Sequence, residues 1–244
     1  MNKNILTSVI DKYYLGGSVE SAKWSIKDKL ITINFITPLK NLVGVITSPN
    51  IDIEDSDIGI YNTSQFSKLV KIMNDTIILD LIKSERGTPL ELTISDNQYD
   101  LNYYLSDLNL IEPVPTINEP DIFDATIPIT NEFISKFINA KKALGDTKQF
   151  TVKSDWTKDD GMNLIVVIGD GNTYANKIKF KTPCEAMLGL DETPFPADIM
   201  NEILKANEDA VSGEIEISNE GLMKLTFNEG DIKSSYFLVR LANN

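Results

Sequence analysis

The 244-residue chain contains no histidine and a single cysteine. Without histidine there is no Ser–His–Asp relay and no zinc site built from His and Cys, and one thiol cannot form an intrachain disulfide. No catalytic residue, metal site or cofactor is therefore expected. Cys184, between Pro183 and Glu185, reads as an inert small side chain in a loop, and a lone thiol fits a reducing compartment. No apolar run approaches the roughly 20 residues that cross a bilayer. The opening MNKNILTSVIDKYY is broken by polar residues too early for a signal peptide. The expectation is a soluble, cytoplasmic protein with no membrane partner. Basic residues are also scarce: 23 against 36 acidic, a net charge of −13. That balance argues against phosphate contact over the surface as a whole, so the placement of the lysines becomes the question.

What the chain does have is one structural pattern used four times. Helix-period apolar stripes occur at Ile5, Leu6, Val9 and Ile10; at Phe66, Leu69, Val70 and Met73; at Phe133, Ile134, Phe137 and Ile138; and at Ile199, Met200, Ile203 and Leu204. Ile5, Leu69, Phe133 and Ile199 are spaced by 64, 64 and 66 residues. A fixed period with the same helix-then-strands order marks one supersecondary unit repeated. Asn62, Thr63 and Ser64 offer caps for the second helix, and Thr130-Asn131 for the third.

Alternating, strand-like runs follow each helix. In the first half they are Ser18–Trp24, Leu30–Phe35, Leu42–Thr47, Ile58–Tyr61, Thr76–Ser84, Leu90–Ser95 and Tyr99–Leu105. In the second half they are Phe150–Lys153, Leu164–Ile168, Lys177–Phe180 and the closing meander Gly213–Ser218, Leu222–Phe227 and Ser235–Leu241, with Pro194 and Pro196 introducing the fourth helix. Between the halves lies Leu108–Phe123, whose Pro113, Pro115 and Pro120 exclude regular helix. The predicted class is α+β: two similar domains, 1–107 and 124–244, each a duplicated helix-plus-antiparallel-strands unit, joined by a connector, 108–123.

Each helix would lay its stripe on a sheet and turn its other face outward. Lys3, Lys12, Lys68, Lys71, Lys136, Lys141, Lys142 and Lys205 fall on those outward faces or helix ends. The first three helical regions carry seven of these lysines against Asp11, Asp75 and Glu132, whereas Asp198, Glu202, Glu208 and Asp209 surround Lys205. A basic helical face on an acidic body suits contact with a phosphate backbone without base readout. Charge alone leaves open that these are ordinary lysines of solvated helices.

Other constellations read blandly. Asp52, Glu54, Asp55 and Asp57 lack the spacing of a calcium loop and read as a solvated acidic segment. Gly169-Asp170-Gly171 and Asp159-Asp160-Gly161 read as turns, and Trp24 and Trp156 as packing residues.

Taken together, four helix-plus-strands units, an apolar proline-bearing crossover and lysines on the helix faces resemble the DNA sliding clamps. The nearest type is the two-domain proliferating cell nuclear antigen and the clamps of large tailed phages. Ile58–Ile82 resembles the second helix and following strand of that family, and the ending from Gly213, with Gly221 and Tyr236, resembles its closing strands. The short first helix, the acidic fourth helix and the charged loop Lys158–Gly161 depart from the pattern.

The resemblance implies a ring: a head-to-tail homotrimer in the DNA clamp fold, closed around double-stranded DNA. Such a processivity factor tethers a DNA polymerase and is loaded by an ATP-dependent clamp loader. It also implies subunit-interface strands bearing Tyr99, Leu101 and Tyr103 on one edge and Tyr174 and Ile178 on another. A partner-peptide pocket is implied at Leu42, Val43, Leu108, Ile111, Pro113, Val114 and Leu241, and the host-cell cytoplasm as the setting if the protein is viral. The rival readings are a non-enzymatic β-rich viral structural or assembly protein, and an enzyme working through carboxylates.

Overall fold

The computed structural model describes residues 1–157, 161–169, 175–187 and 189–242, without the side chains of residues 156, 157, 186 and 187. Tyr174, Trp156's side chain and most of the two sequence-read turns at 159–161 and 169–171 lie outside the described residues. The chain forms two compact units, Met1–Pro115 with Asp231–Ser234, and Thr116–Gly230 with Ser235–Asn244.

Four helices are present among the described residues: α1 (Lys3–Tyr14), α2 (Thr63–Lys71), α3 (Asn131–Ala143) and α4 (Ala197–Ala206). Three start on a side-chain cap. Asn2 accepts from the Asn4 N–H, Asn62 from Gln65 and Thr130 from Phe133, each satisfying an otherwise unpaired donor of the first turn. Helix α4 has Pro196 in that place and no side-chain cap. Helix α1 stops where Leu15 turns left-handed, φ 48°, with Gly16 and Gly17 behind it. That turn delays the first strand to Ala22, against the expected Ser18. At 12 residues α1 runs beyond the Asn4–Lys12 read from the sequence, and α2 has 9.

In the first unit, β1 (Ala22–Lys27), β2 (Leu30–Ile36), β3 (Leu42–Ser48) and β4 (Ser56–Ile60) form an antiparallel run in the order β3-β2-β1-β4. The strands β5 (Ile78–Lys83), β6 (Pro89–Ser95) and β7 (Asp100–Tyr104) form a second sheet in sequence order. Helices α1 and α2 pack side by side and bury Leu6, Val9, Ile10, Tyr13, Phe66 and Val70. Trp24 lies at the centre, edge-on to Tyr13 at 6.1 Å and to Phe66 at 5.6 Å, and Phe66 reaches Tyr103 at 4.7 Å. One core thus joins both helices to both sheets, worth several kcal/mol per fully buried ring. Opposite Phe35 on β3 stands Gly44, where a Cβ would lie 2.0 Å from the ring, so only glycine fits there.

The second unit repeats the plan. Its strands β8 (Ala125–Pro128), β12 (Ala186–Met187), β14 (Ser212–Ile217), β15 (Leu222–Glu229) and β16 (Ile232–Val239) run in the order β12-β8-β14-β15-β16. The strands β9 (Gln149–Thr157), β10 (Gly161–Ile168), β11 (Ile178–Pro183) and β13 (Thr193–Pro196) run in the order β11-β10-β9-β13. Helices α3 and α4 pack together, and Phe137, Phe150 and Phe195 line the core, with Phe137 edge-on to Phe150 at 5.0 Å. Tyr236 is sealed in, its hydroxyl bonded by Asn207 Nδ2 at 2.9 Å, while the same amide donates to the Ile203 carbonyl at the end of α4. Gly221, at φ 93°, makes a turn over which the Arg240 side chain lies, and its carbonyl accepts the Arg240 N–H.

The repeat is tied together by exchange. The strand before each helix pairs with the strand after its neighbouring helix or with its own unit's partner: β4 with β1, β8 with β14, and β13 with β9. For α1 the same exchange shrinks to one bridge, Asn2 with Thr76, reinforced by the Met1 amino group on the Ile77 carbonyl at 2.6 Å. Sequence reading missed β8, β12 and β13. All three are four residues or shorter, and prolines at 128, 194 and 196 mask their strand character.

Candidate nucleic-acid interface

The four helices carry eight lysines and four acids, Asp11, Glu132, Asp198 and Glu202, a net of +4 over 44 residues. The other 200 residues hold 15 basic and 32 acidic side chains, a net of −17. Opposite signs on helices and remainder are a segregation of charge, and they set up a local positive field on an anionic body.

The eight lysines are not equivalent. Lys68 and Lys142 are exposed and have no ion pair with a described residue. Lys3 is half-buried, donates to the Met73 carbonyl at 2.6 Å and has no ion pair with a described residue. Three others are exposed but paired: Lys71 with Asp11 at 3.1 Å, Lys136 with Glu132 at 2.6 Å and Lys205 with Glu202 at 2.9 Å. The Lys136 ammonium holds the Glu132 carboxyl below its ordinary range by a hydrogen bond and its charge.

Two lysines expected outward are inside. Lys12 is 1% exposed and Lys141 7%. Both lie in the last turn of a helix, where a four-carbon stem can cover apolar surface. The Lys141 ammonium donates to the Gly145 carbonyl at 2.8 Å and meets Asp198 of α4 at 2.9 Å. Lys148, absent from the sequence-based set, reaches the other Asp198 oxygen at 3.3 Å. Burial raises the Asp198 pKa, and these two ammoniums reverse that, leaving its carboxyl below the usual range. Asp198 is therefore a clasp between α3 and α4, which explains one acid of the fourth helix. Sequence periodicity could not have found it, because the pairing is tertiary.

The described residues expected at the interface lie on or beside strands with one open edge. Among the described strands, β7 pairs only with β6 and β11 only with β10. Tyr99 and Leu101 are accessible, but Tyr103 is buried against Phe66, its hydroxyl bonded to the Asn62 backbone. The Tyr103 side chain thus serves the core of its own unit and is not offered at the edge. Ile178 opens β11 and is partly exposed; Tyr174 falls outside the described residues. The edge strands differ in charge: Lys179 and Lys181 lie on β11 with Lys177 just before it, and Asp100 lies on β7 between Asp96 and Asp107.

Of the expected peptide pocket, Leu42 is fully buried, Val43 nearly so, and Ile111 is packed on Gly59 of β4. These serve the core of the first unit and offer no surface anchor as placed. Leu108, Pro113 and Val114 retain accessible surface in the connector, as does the neighbouring Leu110, at 67% exposure, which sequence reading left out of the pocket. Leu241 is partly exposed, its N–H on the Pro194 carbonyl.

The acidic segment is committed to neighbours. Asp52 meets Lys29 at 2.8 Å, Glu54 meets Lys83 at 2.8 Å, Asp57 meets Lys23 at 2.7 Å, and Asp55 accepts the Asp28 N–H. It borders a groove of about 650 Å³ also lined by Asp80 and Ile78. No cluster of three potential metal ligands occurs among the described residues, and no described helix is long and apolar enough to cross a membrane.

No protein-family model matches the sequence, and no curated protein matches it. Solved structures do. A. fulgidus PCNA bound to the C-terminal region of FEN-1 matches with a TM-score of 0.75 at 18% identity, covering 100% of this chain and 98% of that one. The PCNA2–PCNA3 complex of Sulfolobus tokodaii matches at 0.74 and 13%, covering 100% and 98%. Proliferating cellular nuclear antigen of Entamoeba histolytica matches at 0.75 and 16%, covering 99% and 96%. The chain therefore shares its fold, over nearly its whole length, with these PCNA chains.

Proposed function

We propose that this protein is a DNA sliding clamp, a non-enzymatic processivity factor. Three copies would close head to tail around duplex DNA, with the two compact units as clamp domains joined through the 108–123 segment. The observation that carries the reading is the charge segregation: a +4 helical set on a −17 remainder, in a chain whose fold is shared with PCNA. A topological link lets weak, replaceable phosphate contacts suffice, because escape requires opening an interface rather than breaking those contacts.

Ring closure needs two different edges that pair heterologously. Strands β7 and β11, each with one edge open among the described strands, meet that need, and their opposite charge favours one polarity of assembly while covering exposed edges. Tyr99 and Leu101 on one copy would face Ile178 on the next. The connector's accessible Leu108, Leu110, Pro113 and Val114 would receive short apolar peptides of a DNA polymerase and an ATP-dependent clamp loader, a small area suited to partners that exchange. The setting would be the cytoplasm.

Native mass spectrometry over a concentration series tests the assembly. The expected species is three 27.2 kDa chains. A monomer at every concentration would remove the ring and the function with it.

A further inference from the structure

The DNA-facing role just proposed leaves one feature unaccounted for: three of the five exposed helix lysines sit on carboxylates. Lys71 meets Asp11, Lys136 meets Glu132 and Lys205 meets Glu202. Two of these pairs are neighbours along a helix, a common arrangement on any solvated face. The third is not, since Asp11 belongs to α1 and Lys71 to α2. Nothing in helix propensity brings those two together.

We infer that Asp11, Glu132 and Glu202 act as built-in counterions of the helical surface, so that duplex DNA is gripped by Lys3, Lys68 and Lys142 while Lys71, Lys136 and Lys205 are held back by their partners. This inference rests on the clamp reading and deepens it. A free ammonium that reaches a phosphate displaces a condensed counterion and gains affinity from its release. A paired ammonium must first leave its carboxylate, or carry that negative charge towards the phosphate. Either way its contribution is reduced.

The pairs are placed to be exchangeable. The side chains of Glu132 and Lys136 are 74% and 46% exposed and those of Asp11 and Lys71 41% and 51%, so water and salt compete for each. The Lys141–Asp198 contact is of another kind, since the lysine side chain is 8% exposed and also bonded to a carbonyl. It holds α3 to α4 and is not part of the reserve. A face built this way attracts duplex without holding it firmly, which suits a protein that must move along its track.

The test uses the full chain and a fluorescein-labelled 40-base-pair duplex, with affinity read by anisotropy from 50 to 200 mM NaCl. The triple variant Asp11→Asn, Glu132→Gln, Glu202→Gln is expected to bind severalfold tighter at 50 mM. Its plot of log affinity against log salt should steepen by about 2 to 3, near 0.9 per phosphate contact released from competition. A control removes three exposed acids elsewhere, Glu85→Gln, Glu220→Gln and Asp231→Asn, and should leave the slope unchanged. An equal steepening in the control would assign the effect to net charge and overturn the inference. The double variant Lys68→Glu, Lys142→Glu separates the two levels. If it weakens binding while the triple variant matches wild type, the counterion inference fails and the clamp reading stands. If it binds as wild type does, or wild type binds no duplex, the DNA-facing surface itself is wrong and the inference falls with it.

Discussion

The two helix pairs carry the same number of lysines and differ in what surrounds them. Helices α1 and α2 set Lys3, Lys12, Lys68 and Lys71 against Asp11 alone, a net of +3. Helices α3 and α4 set Lys136, Lys141, Lys142 and Lys205 against Glu132, Asp198 and Glu202, a net of +1. Counting lysines would make the pairs equal, whereas their ion pairs do not. The second pair uses charge partly for its own cohesion, through the Asp198 clasp, where the first relies on Tyr13, Trp24 and Phe66. A basic surface is therefore defined by the lysines left uncommitted after the fold has used its share.

If the two cores are equivalent as scaffolds, breaking either should cost alike. Trp24→Ala and Phe137→Ala each remove a side chain with no exposed surface and should destabilise by about 3–5 kcal/mol in urea unfolding. A cost below about 1 kcal/mol at either position would show that its unit is held some other way.

Charge reversal should then split the pairs. Lys68→Glu with Lys71→Glu should weaken duplex binding by about tenfold, or roughly 1.4 kcal/mol, and flatten the salt slope by about 1, since Lys71 is already held by Asp11. Lys136→Glu with Lys205→Glu should cost less than half that on both readouts, since both lysines are already paired. Equal losses would erase the distinction between the pairs.

Acid should act mainly on the second pair. The Asp198 carboxyl sits below its ordinary pKa in the folded chain. Its stabilisation is therefore present above the usual carboxylate range and is lost as pH falls through the folded value, below about pH 4. Asp198→Asn should cost about 1 kcal/mol at pH 7, a figure discounted because the side chain is half exposed. The variant should also flatten the acid limb of the stability curve, and an unchanged acid limb would show the clasp to be idle. Smallest is the cap. Thr130→Ala should cost about 1 kcal/mol or less by freeing the Phe133 N–H, with Asn62→Ala in the first pair losing a similar amount.

How far the sequence carried this account varied with the kind of interaction. The helices were legible because their stripes repeat with period 3.6, and Leu6, Val9, Phe66, Val70, Phe137 and Met200 are buried as that period demands. Long alternating strands such as β15 were legible for the same reason. Short pairing strands were not: β8 and β13 exist because β14 and β9 of the same unit offer them an edge, and their prolines argue locally against strand. Lys12 and Lys141 were read outward because lysine is normally solvated. Their burial depends on which stem a packed helix end covers, and no spacing rule encodes that. Tyr103 looked like one more aromatic on an edge strand, yet its ring completes the Phe66–Trp24 cluster. The pairing of Lys71 with Asp11 was invisible, since the two are 60 residues apart in sequence.

The central claim is topological, and one measurement addresses it. The protein is allowed to thread onto a linear duplex with open ends, the ends are then blocked by bulky protein caps, and retention is followed in high salt. The account predicts that the chain stays on the capped duplex and leaves promptly when a restriction enzyme cuts it between the caps. Loss from capped and cut DNA at the same rate would show that only replaceable charge contacts hold the protein, and would contradict the clamp.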